Sequence, residues 1–205
     1  MESVARGGTR WKRFAVVMVP SVAASAAIGV ALSQGALAAS FSVSGQQFKM
    51  TANRLDGTGY VQYNAVDSGE SGNHAVSVIG LEDAVITDLC QSVVVPIGLF
   101  GDVTLKLSAG RPGDPEVVAN KLYIDTDELQ ANATFREIDM GVSVDDTTKG
   151  PGPSPGDRYE PGSFAQQADS VVFTDLRQRA RATSAGTFKL SGMAMKVQRG
   201  KHECF

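Results

Sequence analysis

A short glycine- and proline-rich motif is the strongest candidate for catalysis in the sequence. Residues 152–156 match G-x-S-x-G, the pattern of a nucleophile elbow, in which the serine sits on a strained strand-to-helix turn. Pro155 follows Ser154 and favours extended geometry at the serine, and no predicted strand or helix flanks the motif. His74 precedes the serine, against the order Ser, acid, His, and His202 lies in the C-terminal tail. We therefore expect no catalytic residue and no enzyme.

Acidic residues form two clusters, at 125–128 and at 145–146, where oxygen ligands at alternate positions could bind Ca²⁺. The spacing and the glycine of an EF-hand loop are missing from both clusters. The sequence also lacks a zinc signature, a glycine-rich phosphate loop and a dinucleotide-binding fingerprint. We expect solvated turns at the two clusters, no metal and no cofactor.

The chain contains two cysteines, Cys90 and Cys204. An even number of cysteines in an exported chain is typical of a disulfide. The alternatives are two free thiols, or a metal site that would also use the two histidines. The favoured prediction is a Cys90–Cys204 disulfide that ties the C-terminal tail to the middle of the chain.

The N-terminal residues 1–38 have the three parts of a secretory signal peptide. Basic residues lie within 6–13, an apolar run covers 14–32, and Ala-Leu-Ala at 36–38 matches a small-x-small cleavage site. We expect cleavage after Ala38 and a secreted or cell-envelope protein. The alternative is an uncleaved membrane anchor, because roughly 20 apolar residues can span a bilayer.

Loss of the signal peptide makes the chain more acidic. The segment holds four of the 19 basic residues and one of the 22 acidic residues, which leaves 15 and 21. This balance argues against a nucleic-acid partner, which requires clustered Lys and Arg. Residues 39–205 are long enough for a single domain with its own core.

Apolar and polar residues alternate with a period of two in several segments, which is typical of strands with one wet face. Phe188 and Leu190 point to one side of such a strand and Lys189 to the other, and similar alternation occurs at 103–107 and 138–144. The segment 149–162 breaks the pattern, with four Pro and four Gly among its 14 residues, and predicts a long surface loop.

Short sequences recur along the chain and predict a repeated architecture. The matched segments are 41–50 with 188–197, 85–91 with 172–178, 104–110 with 187–192, and 51–57 with 118–125. They indicate one β-hairpin unit used about three times, near 41–57, 85–125 and 172–197. The predicted fold is therefore all-β, either an antiparallel sandwich, a curled sheet or a solenoid-like stack.

The repeats also predict which side chains share an apolar face. The expected residues are Phe41, Val43, Phe48, Leu105, Leu107, Phe188, Leu190 and Met195. Sequence alone does not distinguish a closed core from an open groove at this face, because both give the same alternation.

Longer segments such as SGQQFKMTANRLDGTGYVQY, ATFREIDMGVS, FAQQADSVVFTDLRQRA and the terminal ECF add a resemblance. They resemble a family of exported actinobacterial proteins of unknown function, some of which carry the label cholesterol esterase. The resemblance implies export and supplies no catalytic residue.

Three classes of function fit these observations. We favour an exported, non-catalytic protein with a structural or self-assembly role, acting as a homo-oligomer or with an envelope partner. The first alternative is a carrier or binding module for a lipid or another hydrophobic small molecule. The second alternative is an esterase, as the family label suggests.

The signal-peptide prediction can be tested by the intact mass of the exported protein. Cleavage after Ala38 removes Trp11, the only tryptophan, so the mature protein should lack tryptophan fluorescence. An exported form that retains this fluorescence would contradict cleavage and would favour the membrane anchor.

Overall fold

Alternating apolar and polar residues place most of the described chain in long strands. The structure is a computed structural model that describes residues 39–41, 46–69, 72–97 and 101–205, with the backbone alone at 39–41 and 69. The predicted signal peptide and Val43 lie outside these residues. Within the described part of the chain, no α-helix is found, and the prediction of an all-β fold is confirmed.

The described strands follow each other with few interruptions. They are β1 (Ala39–Phe41), β2 (Phe48–Gly69), β3 (Gly72–Thr87), β4 (Leu89–Ile97), β5 (Gly101–Ala109), β6 (Val117–Arg136), β7 (Asp139–Ser143), β8 (Phe164–Ala185), β9 (Thr187–Lys189) and β10 (Ala194–Arg199). A short 3-10 helix, Val144–Asp146, follows β7.

Four long antiparallel strands close into a ring. β2 pairs with β3 along the hairpin that ends at Gly69 and Gly72, β3 pairs with β6, and β6 pairs with β8. β8 then returns to pair with β2, from Phe48 opposite Ala180 to Tyr63 opposite Ala165. The fold is therefore a curled sheet, and the solenoid-like alternative is wrong because the last long strand pairs with the first.

The sheet continues beyond the ring at the N-terminal end of β2. The first residues of β2 pair with β4, β4 pairs with β5, and β5 pairs with β10. β10 stands at the edge of this extension. β1 pairs with the end of β8, β7 with its beginning, and β9 with β6.

The matched segments 85–91 and 172–178 share the sequence Thr-Asp-Leu. In the structure the two copies lie on opposite sides of β2. Asp88 (φ 53°) and Asp175 (φ 54°) both adopt the left-handed backbone conformation, which is uncommon outside glycine. The pairing of β2 with its neighbours omits Asn53, whose place in the register lies beside both aspartates. Leu89 and Leu176, which follow the aspartates, are both buried. The repeated sequence thus builds the same left-handed backbone position twice, once between β3 and β4 and once within β8.

The main core fills the inside of the ring. Leu55, Leu81 and Leu122 are almost completely buried, each on a different strand. The aromatic side chain of Phe135 packs between those of Tyr60, at a centroid distance of 5.1 Å, and Phe173, at 6.0 Å. These contacts add aromatic packing to the aliphatic core.

The predicted stability of this core can be tested at Phe48, which is 2% exposed. Phe48→Ala should lower the free energy of unfolding by about 3–5 kcal/mol, because it removes a buried ring and leaves a cavity. The control is Lys196→Ala on the exposed β10 strand, which should change it by less than about 0.5 kcal/mol. Urea unfolding of both variants measures the difference, and equal effects would contradict this assignment of the core.

Candidate functional site

The residues expected to share an apolar face fall into two environments. Phe48 and Leu107 are buried in the core, and Leu105, Phe188 and Leu190 are partly buried against it. The side chain of Phe41 and all of Val43 lie outside the described residues. Around Phe48 the face is therefore closed and does not form the wall of an open groove.

Met195 differs from the expectation of a shared interior, because it is 49% exposed. It lies on β10 opposite Leu107, and the neighbouring Val197, 70% exposed, lies opposite Leu105. Side chains that face each other across antiparallel strands project to the same side of the sheet. The apolar face thus runs from the core through β5 to an uncovered strand at the edge.

Basic side chains alternate with these apolar residues on β10. Lys196 lies opposite Lys106 on the other face of the sheet, and Arg199 ends the strand. In the described part of the chain, none of these three cations forms an ion pair. We use "the β10 edge" for residues 194–199, which carry exposed apolar and basic side chains and a free backbone edge, the feature that accepts a further strand.

The C-terminal tail covers the outer face of β4 and β5 beside the β10 edge. The predicted Cys90–Cys204 disulfide is confirmed. The backbone N–H of Cys204 donates to Ser92 Oγ (3.0 Å), and that of His202 donates to Thr104 Oγ1 (3.0 Å). Ser92 and Thr104 are buried, so the tail satisfies polar groups that would otherwise lose their hydrogen bonds.

Lys49 fastens the end of the tail to β2. Its ammonium group lies 3.2 Å from the carboxylate of Glu203 and 4.9 Å from the centre of the Phe205 ring. The side chain of Lys49 is partly covered because the tail folds back over it. The terminal sequence E-C-F therefore holds the tail against the sheet.

At the opposite end of β2, the proline- and glycine-rich segment packs onto the sheet. We use "the strap" for residues 149–162. Its one bridge to a strand joins Val66 N–H to the carbonyl of Arg158 (2.8 Å), in agreement with the prediction of a loop outside the strand ladder. Val61 and Val78 lie beneath it in a second, smaller buried cluster.

Tyrosine hydroxyl groups hold the strap in place. Tyr63 Oη donates to the carboxylate of Asp157 and accepts a hydrogen bond from the backbone N–H of Ser154 (2.8 Å). Tyr123 Oη donates to the carbonyls of Pro151 (3.3 Å) and Gly152 (3.2 Å). Ser154 thus belongs to a hydrogen-bonded loop, preceded by a 3-10 helix and followed by a turn, and not to a strand-turn-helix elbow.

A groove of about 560 Å³ separates the strap from the end of the β2–β3 hairpin. We call it the strap groove. Val66, Ala75 and Tyr159 contribute its apolar and aromatic lining, and Asp157 and Glu160 contribute its carboxylates. Its walls suit a segment that presents both apolar and cationic side chains.

Asp125 lies beside the strap groove and was expected in a solvated turn. Its carboxyl lies instead within β6, half-buried, and lines a smaller cavity of about 150 Å³ with Asp67 and Asp157. Burial, together with the negative charges of Asp157 and Asp67, raises the pKa of Asp125 to about 7. Burial also raises the pKa of Asp157, against the hydrogen bond from Tyr63.

Metal-ligand clusters and membrane-spanning helices are both lacking among the described residues. Within them, no group of three or more His, Cys, Asp or Glu side chains is placed to hold a metal ion. Over the same residues, no helix is long and apolar enough to cross a membrane.

Comparison with known proteins identifies a family whose function is unknown. The model of DUF6230, a family of unknown function, matches residues 44–205. The chain belongs to DUF6230. No curated protein and no solved structure matches it.

Two features of this DUF6230 protein were not predicted from its sequence. One is the strap's packing on Tyr63 and Tyr123, because neither residue stands out by periodicity or motif. The other is the partial burial of Asp125, whose only signal is its place in the alternating run after Ile124. The match covers the β10 edge, the tail and the strap, so all three lie within the DUF6230 region.

The raised pKa of Asp125 predicts a pH-dependent stability. Because the native carboxyl keeps its proton up to about pH 7, whereas the unfolded one releases it near pH 4, unfolding becomes easier as pH rises between these values. Asp125→Asn should therefore stabilise the protein at pH 8, by about 1–2 kcal/mol after allowance for solvent screening, and should be nearly neutral at pH 4.

Urea unfolding at both pH values measures this effect relative to wild type. Asp146→Asn, at an exposed position in the 3-10 helix, is the matched control and should show no difference between the two pH values. A destabilised Asp125→Asn variant at pH 8 would contradict the assignment.

Proposed function

We propose that this DUF6230 protein is an exported, non-catalytic component of the cell envelope or extracellular space that works by self-assembly through the β10 edge. The observation that carries the proposal is the edge position of β10, with Met195 and Val197 exposed on a face that continues the core. Export rests on the signal-peptide pattern at 1–38, and an actinobacterial source rests on the sequence resemblance.

The environment of Phe48 supports assembly over a carrier function. A site for a hydrophobic ligand is a concave pocket with a mostly apolar lining. The face around Phe48 and Leu107 is filled by the core, and the strap groove has Asp157 and Glu160 in its wall. The exposed apolar atoms of the β10 edge lie instead on a projecting strand, a shape that another protein surface can cover.

The strap gives the reason for proposing no esterase activity. The backbone N–H of Ser154 is bound to Tyr63, and Pro155 follows it. His74 lies on β3 opposite Asp67, and His202 lies in the tail that covers β4 and β5. The absence of a strand-turn-helix elbow around Ser154, and the position of His74 before the serine in the chain, support a non-catalytic function.

The size of the β10 edge sets the expected strength of association. Complete burial of Met195 and Val197 would contribute about 1.5–3 kcal/mol each, and each new backbone hydrogen bond about 0.5–1.5 kcal/mol. Loss of translational and rotational freedom opposes these terms by roughly 4–15 kcal/mol. We therefore expect reversible association, with a dissociation constant on the order of micromolar or weaker, which depends on a high local concentration in the envelope.

Sedimentation velocity of the mature protein over a concentration series tests the proposal. The wild type should show oligomers that increase with concentration, and Met195→Asn/Val197→Asn should weaken association at least tenfold. The control is Val118→Asn, which replaces an exposed valine on β6, outside the β10 edge, and should associate like wild type.

Native mass spectrometry of protein purified from its own host separates assembly from the carrier alternative. A ladder of oligomers without small molecules supports assembly. A monomer with co-purified lipid would contradict it and favour the carrier.

A further inference from the structure

The surfaces near the two ends of the long strand β2 differ in charge. Its first residues, at Phe48, pair with β4, next to the tail and the β10 edge, and its last residues reach the hairpin beside the strap. The strand has 22 residues, which corresponds to at most about 70 Å along its course. The β10 edge and the strap groove therefore lie at different ends of the molecule.

The β10 end is basic. Lys106, Lys189, Lys196 and Arg199 form no ion pair within the described residues, and Lys201 pairs only with Asp102, at 3.6 Å. The cations flank the exposed apolar side chains of β10. This surface attracts a partner with both carboxylates and apolar contacts.

The strap end is acidic. Four acidic side chains there form no ion pair in the part of the chain that is described: Asp145, Asp146, Asp157 and Glu160. Arg158 also lines the strap groove, and its hydrogen bond to the neutral Ser68 Oγ (2.7 Å) leaves one positive charge there. The strap groove is thus an apolar and aromatic depression whose lining holds two carboxylates, Asp157 and Glu160, and one guanidinium, Arg158.

We propose that the β10 edge of one copy docks in the strap groove of the next copy. The match is one of chemistry: Met195 and Val197 would contact Val66 and Tyr159, and Arg199, which projects to the same side of the sheet, would lie near Glu160. This inference rests on the proposed function, since it names the surface that receives the β10 edge.

Like charge argues against the alternative, in which two β10 strands pair with each other. An antiparallel pair of identical β10 strands would bring Lys196 and Arg199 of one copy close to the same cations of the other. Like charges opposite each other in a sheet are destabilising. A head-to-tail contact uses a different surface on each partner, so it produces open chains, or rings where the rotation between copies closes, rather than a two-fold dimer.

Charge reversal at each end provides the test. The basic-end variant, Lys196→Glu/Arg199→Glu, retains its strap groove, and the acidic-end variant, Glu160→Lys, retains its β10 edge. All three substituted positions are exposed, so the variants should fold, and matching thermal unfolding midpoints confirm this. The control Lys121→Glu/Arg136→Glu makes the same change of net charge as the basic-end variant, at exposed positions outside both surfaces.

Sedimentation velocity distinguishes the possible outcomes. We expect concentration-dependent chains for wild type and for the control, and at least tenfold weaker association for each variant alone. Mixing the two variants should restore chains of alternating copies, because the two unchanged surfaces dock and the two reversed surfaces are again opposite in charge. Chains of wild type should also shorten as salt screens the charges.

Other results overturn the inference in distinguishable ways. A wild type that stops at a closed dimer retains self-assembly through β10 and excludes head-to-tail docking. An acidic-end variant that still forms chains, or a mixture that stays monomeric while wild type forms them, excludes the strap groove as the receiving surface. A wild type that stays monomeric at high concentration overturns the proposed function as well.

Discussion

The pairing of β8 with β2 is the contact on which the rest of the fold depends. It closes the ring, and in a closed ring the apolar faces of the four long strands cover one another without a layer of helices. Leu55, Leu81 and Leu122 pack in this shared interior. Long, strongly twisted strands need local irregularities to close in this way, and the left-handed residues Asp88 and Asp175 supply two of them beside β2.

Closure of the ring leaves two outer surfaces, one near each end of β2, that must be covered. A different segment of the chain covers each of them. At the strap end, Val61 and Val78 are apolar and are covered by a loop rich in proline, which tyrosine hydroxyl groups hold down. At the other end, Ser92 and Thr104 are polar and are covered by the tail, whose backbone supplies their hydrogen bonds. The β10 edge is the part of this end that the tail leaves exposed.

Local patterns in the sequence predict the strands, their faces and the disulfide. Alternation with a period of two assigns Phe48 and Leu107 to the interior because both the pattern and the burial belong to a single strand. Ring closure is a different kind of information: Phe48 and Ala180 pair across more than half the chain, and no local pattern encodes that register.

The candidate site is only partly predictable for the same reason. The alternation of Met195 with Lys196 marks an amphipathic strand, but edge position decides that Met195 is exposed while the equivalent Phe48 is buried. The partial burial of Asp125 depends on the strap, and a segment rich in proline and glycine is indistinguishable in sequence from a solvated loop. Tertiary contacts between distant segments therefore decide both surfaces.

The disulfide helps to decide whether β10 is an ordered strand or a frayed segment near the C-terminus. Terminal strands usually fray, because nothing follows them to hold their last residues. Here the chain after β10 is fixed: the N–H of Gly200 donates to the carbonyl of Asp102 (2.7 Å), and the carbonyl of Gly200 accepts from Thr104 Oγ1 (2.6 Å). The disulfide at Cys204 then anchors the tail to β4. An exposed strand held this firmly has already lost much of the freedom that binding would otherwise remove, and a preorganised edge of this kind favours association over fraying.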